Sequence, residues 1–169
     1  MFTVRPTLLS DVPRLMEIFA DARAFMAENG NPSQWGDGYP HEEDILNDIR
    51  RGVSYVVVDE EDDVVVGTFA FILGEDPTYR IIEDGAWVDD PRPYGTIHRL
   101  AAARGVHGVA DACLRYCESK TDHLRADTHS DNHVLQHFLT SRGFAYRGII
   151  YVRNHSPRLA YQRIAVMTL

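Results

Sequence analysis

The sequence predicts a mixed α/β domain whose front half is antiparallel and whose middle holds one β-α-β unit. Three observations predict it. Two β-branched runs, "SYVVVD" (54–59) and "VVVGTFAFIL" (64–73), flank the acidic turn Glu60-Glu61-Asp62-Asp63 and read as an antiparallel hairpin. "GTIHRLAA" (95–102), an amphipathic helix behind it and "HLRADT" (123–128) alternate as strand, helix and strand. "FAYRGIIYV" (144–152) and "RLAYQRIAV" (158–166) read as a closing hairpin around Asn154-His155-Ser156-Pro157. At 169 residues the chain is the length of one domain, 1–169, and long enough to bury a core.

In chain order, Phe2–Thr7 reads as a first strand, closed by Pro6. Ser10 or Asp11 can cap a helix in which Val12, Leu15, Met16, Phe19, Ala22 and Met26 keep helical spacing, until Asn29-Gly30-Asn31-Pro32 ends it. "SQWGDGYP" (33–40) is too rich in glycine and aromatics for a plain linker, and a shorter helix follows from Glu42 to about Arg51. Gly67, inside the second run of the hairpin, signals a bulge or a close backbone approach. Residues 75–94 carry Pro77, Pro91 and Pro93 and are too long for a minimal hairpin loop, which marks them as functional or packed on their own side chains. The middle helix reads from about Val106 to Ser119, with Val106, Val109, Cys113 and Cys117 on one stripe. "SDNHVLQHFLTSRGF" (130–144) starts a last helix and ends it at Gly143.

Composition excludes several classes. Lys and Arg number 17 against 25 Asp and Glu, a formal charge of −8, which argues against a general nucleic-acid binder. No apolar run reaches the roughly 18–20 residues of a membrane span, and "MFTVRPTLLSDV" lacks a signal peptide's apolar block, so a cytoplasmic location is expected. Cys113 and Cys117, four apart, share a helix face and read as core residues, on the wrong face to act as nucleophiles. His129, His133 and His137 tempt a metal reading. Yet the helix start at Ser130-Asp131-Asn132 leaves His129 ahead of the helix, and no third ligand is in sight, so no metal is expected.

"RGVHGVADACLRYC" (104–117) puts Gly105 and Gly108 at the mouth of a helix, where glycine is otherwise a poor choice. Alone, this is either an ordinary turn or a loop whose bare amides grip a phosphate. Three stretches tip the reading. "IHRLAAARGVHGVADACL" (97–114) runs strand, glycine-punctuated loop, helix. "LRADTHSDNHVLQHFLTSRGF" (124–144) follows with Asn132 and Gly143-Phe144, and the closing strands complete the order. Together they resemble the GNAT superfamily of N-acetyltransferases over nearly the whole chain. A narrower likeness, carried by "NPSQWGDGYP", "LGEDPTYR", "YGTIHRLA" and "GIIYV", is to a bacterial branch of it.

The resemblance implies a largely antiparallel central sheet of about seven strands with helices on both faces. It implies acetyl-CoA as co-substrate and acetyl transfer to a primary amine by direct attack in a ternary complex. The family's Gln/Arg-x-x-Gly-x-Gly/Ala loop maps onto Gly105, Val106, His107, Gly108, Val109 and Ala110. Two departures stand out: Gly105 occupies the Gln/Arg position, with Arg104 as a stand-in, and the loop from Ala102 is about two residues short. The backbone of Leu100, Ala101 and Ala102 would pair with the pantetheine amides, an amide near Leu100 would face the thioester oxygen, and Asn132 matches the recurrent asparagine. The tyrosine that usually lies seven residues after it, as the acid for the departing thiolate, is Leu139 here. His98, Glu83 and Asp84 are candidate bases, and Tyr151 and Tyr94 replacement acids. Trp35, Tyr39 and Trp87, with the acids of 75–90, are candidates for an aromatic, acidic pocket for a cationic amine. A non-catalytic acyl-CoA-binding or sensing protein on the same fold is the alternative, and Leu139 supports it. A dinucleotide-binding protein would need a parallel sheet. The acceptor and the oligomeric state stay open, homodimers being common among proteins of this kind.

Overall fold

A computed structural model describes residues 1–36 and 38–165. Asp37 of the tryptophan loop, and Val166, with which the closing strand was expected to end, lie outside the described residues. Seven strands form one sheet: β1 (Phe2–Pro6), β2 (Ser54–Asp59), β3 (Val64–Leu73), β4 (Gly95–Ala102), β5 (His123–Thr128), β6 (Ala145–Tyr151) and β7 (Pro157–Ile164). Their spatial order is β1-β2-β3-β4-β5-β7-β6, and every neighbouring pair is antiparallel except β4 with β5.

Four helices cover the sheet: α1 (Val12–Glu28), α2 (Glu42–Arg50), α3 (Val109–Glu118) and α4 (His133–Ser141). Strand alternation divides the core between two faces. Val56, Val58 and Val65 pack with Leu15, Ile18 and Phe19 of α1 and Ile45 of α2. Val57, Val66 and Phe69 pack with Val109, Ala112 and Cys113 of α3 and Leu139 of α4 on the other. The helices therefore lie on both faces.

Two local details position the site. Gly67 meets both expectations: the β2–β3 register slips between Val57 and Val58, beside its partner, and a Cβ on Gly67 would clash with Val109 Cγ1 and lie 3.1 Å from the Ala101 carbonyl oxygen. Its bare α-carbon lets α3 lie against the sheet. The second detail corrects the expected helix start. Helix α3 begins at Val109, three residues after Val106, because Gly108 is its N-cap in a left-handed conformation at φ 90°. A left-handed residue cannot continue a right-handed helix, so Gly105–Gly108 stay a loop. Asp11 precedes α1, but its carboxylate does not cap it. The carboxylate accepts two bonds from Arg5, at 2.7 and 3.0 Å, and one from the Leu8 amide.

Candidate functional site

The sheet parts where it turns parallel. Strands β4 and β5 pair only from Gly95 to Ile97 against Leu124 to Ala126, and beyond that point each runs on without the other. A bulge on β4 helps to turn them apart. His98 sits opposite Ala70 and Ala101 opposite Thr68, so Arg99 and Leu100 face Phe69 alone, with Arg99 at φ 52°. The parting opens into a cavity of about 1400 Å³. One half is apolar, lined by Cys113 and Leu114 of α3 and Leu135, Phe138 and Leu139 of α4; the other is polar and reaches under Trp35 and Tyr39.

The glycine loop borders the apolar half. Gly105 and Gly108 both have positive φ, 75° and 90°, and Gly105, His107 and Gly108 are exposed. Val106 closes a tight turn by donating its amide to the Ala103 carbonyl. Among the described residues, no protein acceptor receives the amides of Gly105, His107, Gly108, Val109 or Ala110. The Val109 side chain is buried against the sheet, so only its amide is on offer, whereas Ala110 borders the cavity itself. Arg104 is committed elsewhere: its guanidinium is held by Glu28 of α1 at 3.0 Å and its amide by Asp21. On β4, Leu100 lines the cavity while Ala101 is buried toward α1 and Ala102 is half-buried. The side chain of Asn132 is used by the fold. Its carbonyl oxygen caps α4 at the Leu135 amide, and its amide group donates to Gln34 at 2.9 Å.

Where the strands part, His98 is the centre of a polar cluster. Its Nε2 lies 2.8 Å from Asp76, and its Nδ1 lies 3.9 Å from Asp127. Asp76 is itself fixed by the amide and hydroxyl of Thr78. Burial works against its charge, yet the bonds from His98 and Thr78 bring its pKa down to about 2. An ionised carboxylate can only accept, so His98 Nε2 carries a proton, and in the neutral ring the lone pair is then on Nδ1. Asp127 in turn accepts the hydroxyl of Tyr79 at 3.0 Å. Tyr79 is fully buried, and burial pushes its hydroxyl well above the ordinary range.

The other sequence candidates divide. Glu83 and Tyr151 meet, Tyr151 donating its hydroxyl to Glu83 at 2.9 Å, and both line the cavity. Asp84 is an exposed turn residue at φ 52°. Tyr94 does not line the cavity; its hydroxyl accepts the amide of Asp76. Trp35 and Tyr39 roof the polar half as an edge-on pair 6.3 Å apart. Trp87 is set apart from them. Its indole donates to the Tyr79 carbonyl and its ring stacks on Arg125, 4.1 Å away, which makes it a packing residue outside the cavity. Cys113, expected on the wrong face, does border the cavity, but burial pushes its thiol well above the usual range, so no thiolate forms. His133 and His137 are exposed on α4, and His129 precedes it, accepting the Asp131 amide.

Sequence reasoning missed the residues that hold these groups in place. Arg99 forms a two-pronged bond with buried Asp48, at 2.7 and 2.6 Å, and donates to the Tyr39 hydroxyl. Gln34 Oε1 is reached by Thr128, the His129 amide and Asn132, pinning the aromatic roof to the end of β5. Asp76 fell within the acids of 75–90 and the pair Asp76-Pro77 is an Asx-turn signature, whereas no local signal marked the Arg99–Asp48 pair.

No family model matches the chain, and no curated protein matches it. Solved structures do. A GNAT-family acetyltransferase of Streptococcus agalactiae is 30% identical, with 98% of this chain and 96% of that chain covered and a TM-score of 0.86. One from Listeria monocytogenes is 19% identical over 96% and 94%, at a TM-score of 0.69. The NatC complex bound to Gag peptide and CoA includes a chain 16% identical over 98% and 99%, at 0.54. With 30% identity along nearly the whole of both chains, and a backbone that superposes at a TM-score of 0.86, this chain belongs to the GNAT family of acetyltransferases.

Proposed function

We propose that the protein moves an acetyl group from acetyl-CoA to a primary amine by direct attack in a ternary complex. The observation that carries the reading is the parting of β4 from β5 beside a helix mouth whose amides have no protein acceptor among the described residues. A diphosphate suits that mouth. The first-turn amides and the helix dipole together favour an anion there, and each amide–phosphate bond contributes roughly 1.5–3 kcal/mol. Positive φ at Gly105 and Gly108 turns the amides outward without steric cost. The free edge of β4 at Leu100–Ala102 supplies backbone partners for an extended diamide.

The chain's own groups then prepare the acceptor. His98 Nδ1 and the Asp127 carboxylate are close enough for one ammonium nitrogen to bond both. Asp76 keeps the proton on Nε2, so Nδ1 is free to take a proton from that ammonium and leave a neutral amine. The Glu83–Tyr151 pair on the cavity wall is the candidate to replace the missing tyrosine, the hydroxyl being the group that can give a proton to a thiolate.

Thiol release from acetyl-CoA with a broad amine panel tests the activity. Gly108→Trp tests the loop: it is expected to lose CoA binding while keeping a cooperative thermal transition. Normal CoA binding by that variant would rule out the loop assignment. Leu139, buried and lining the apolar half, favours the alternative of a non-catalytic acyl-CoA-binding protein. That reading expects tight CoA binding with no turnover on any amine.

A further inference from the structure

Five arginines line the cavity; Arg51, Arg80 and Arg153 are exposed at its edge, and the two that are not, Arg99 and Arg158, are in opposite electrostatic situations. Arg99 is neutralised by the buried Asp48, whose two oxygens take its Nε and Nη2. Arg158, at the start of β7, is only 8% exposed, yet it pairs with no carboxylate among the described residues. Its guanidinium donates to two carbonyl oxygens, that of Pro157 at 3.0 Å and that of Gln34 in the roof at 3.2 Å. Burial lowers its pKa, with the more distant Asp127 and Tyr39 acting against that. A buried guanidinium left without a counter-ion is costly unless something anionic completes it.

Its place in the sheet says what that is. Ala160 is the register partner of Asp127, and Arg158 lies two residues before it on β7, so all three share one face of the sheet. That diagonal relation sets Arg158 about 7–8 Å from Asp127 between α-carbons. The same cavity therefore has a carboxylate–imidazole pair at one point and a bare cation one strand-step away. The apolar half of the same cavity, on the α3–α4 side, is left to the donor.

We infer that Arg158 receives a carboxylate of the acceptor, and that the acceptor class is a small amino acid whose amine meets His98 and Asp127. Of the five N–H groups of a guanidinium, two are used by carbonyls, and the rest suffice for a planar, two-pronged carboxylate bond. A single buried, uncompensated cation matches a monoanion. A phosphate dianion would find Arg99 already cancelled and Asp127 repelling it. A peptide N-terminus, with an amide where the carboxylate would be, leaves Arg158 uncompensated. The inference deepens the proposed transfer and rests on it for the fate of the amine; the anion site itself stands on Arg158 alone.

The test pairs each common L-amino acid with its α-carboxamide. Thiol release from acetyl-CoA is read for both members, and so is the thermal shift each produces with and without CoA. At least one acid is expected to exceed its amide by roughly 10- to 100-fold in kcat/KM, or in affinity if turnover is slow. Arg158→Gln and Arg158→Met are expected to erase that ratio, and Arg158→Lys to keep part of it. The acid–amide comparison on the unaltered protein needs no variant, so a variant that fails to fold does not spoil it. Amides that equal their acids, no acid that binds or reacts, or an acid preference that survives in Arg158→Gln each overturn the inference. If acetyl-CoA binds and neutral amines are the substrates, this inference falls and the transferase reading stands. If acids bind through Arg158 and acetyl-CoA does not bind, the reverse holds.

Discussion

Asp76 decides which nitrogen of His98 is free, so its effect on catalysis should exceed that of one surface-pair hydrogen bond. In Asp76→Asn the side chain can turn an N–H toward Nε2, and the proton then moves to Nδ1, the atom that must accept. We expect kcat to fall about 10²-fold or more, close to the loss in His98→Ala, with the double variant little worse than either. Losses that simply multiply in the double variant would mean the two residues act separately. The same carboxylate carries a pH signature. Its native pKa of about 2 lies below the ordinary 3.8, so its stabilising effect is present above pH 4 and is lost as pH falls toward 2. Urea unfolding between pH 2 and 7 should show the variant losing less stability than the parent across that window. Equal slopes would place the parent's acid sensitivity elsewhere.

At the scale of elements, the contact of β3 with α3 ties the fold to the donor site. Gly67→Ala pushes a methyl into Val109, the first residue of α3, and toward the Ala101 carbonyl. We expect a loss of about 1–3 kcal/mol from overpacking, read as a lower urea midpoint, with weaker CoA binding as the helix mouth is displaced. Val109→Ala should restore much of both; no rescue would mean that Ala101, not Val109, sets the clearance. Gly67 was legible because a glycine in a β-branched run has few reasons to be there. The strands were legible for the same kind of local reason, since their β-branched runs and turn residues lie within a few positions. The start of α3 was not, because periodicity from Val106 onward cannot reveal that Gly108 is left-handed. In the site, His98 could be read from its residue type and its strand. Its partner Asp76 lies 22 positions away, Asp48 is 51 from Arg99, and Gln34 is more than 90 from the residues it pins. Such pairs are created by the β-topology, and no window of sequence contains both members.

The whole molecule is two half-sheets, β1–β4 and β5–β7–β6, joined by a short parallel seam and a few cross-ties. The seam is Gly95–Ile97 with Leu124–Ala126. Among the ties are Gln34 to the end of β5, Tyr79 to Asp127, the Glu83–Ile149 backbone bridge, and Gln162 of β7, which exchanges two 2.9 Å bonds with the Val88 backbone. A ligand that fills the parting bonds both halves at once, so its effect should reach past the residues it touches. At about 100 times its Kd, acetyl-CoA adds about 2.7 kcal/mol to stability. In a domain of this size that raises Tm by about 5–10 °C. Hydrogen exchange should slow in three places: at the amides of residues 105–110, along Leu100–Ala102, and at the seam, which the ligand does not contact but holds shut. ATP and NAD, which lack the pantetheine arm, should leave the seam unchanged even where their phosphates occupy the loop. A Tm rise of that size with unchanged exchange at 105–110 would mean acetyl-CoA stabilises the protein from some other site. Protection of the loop without the seam would mean the two half-sheets are already locked before the donor arrives.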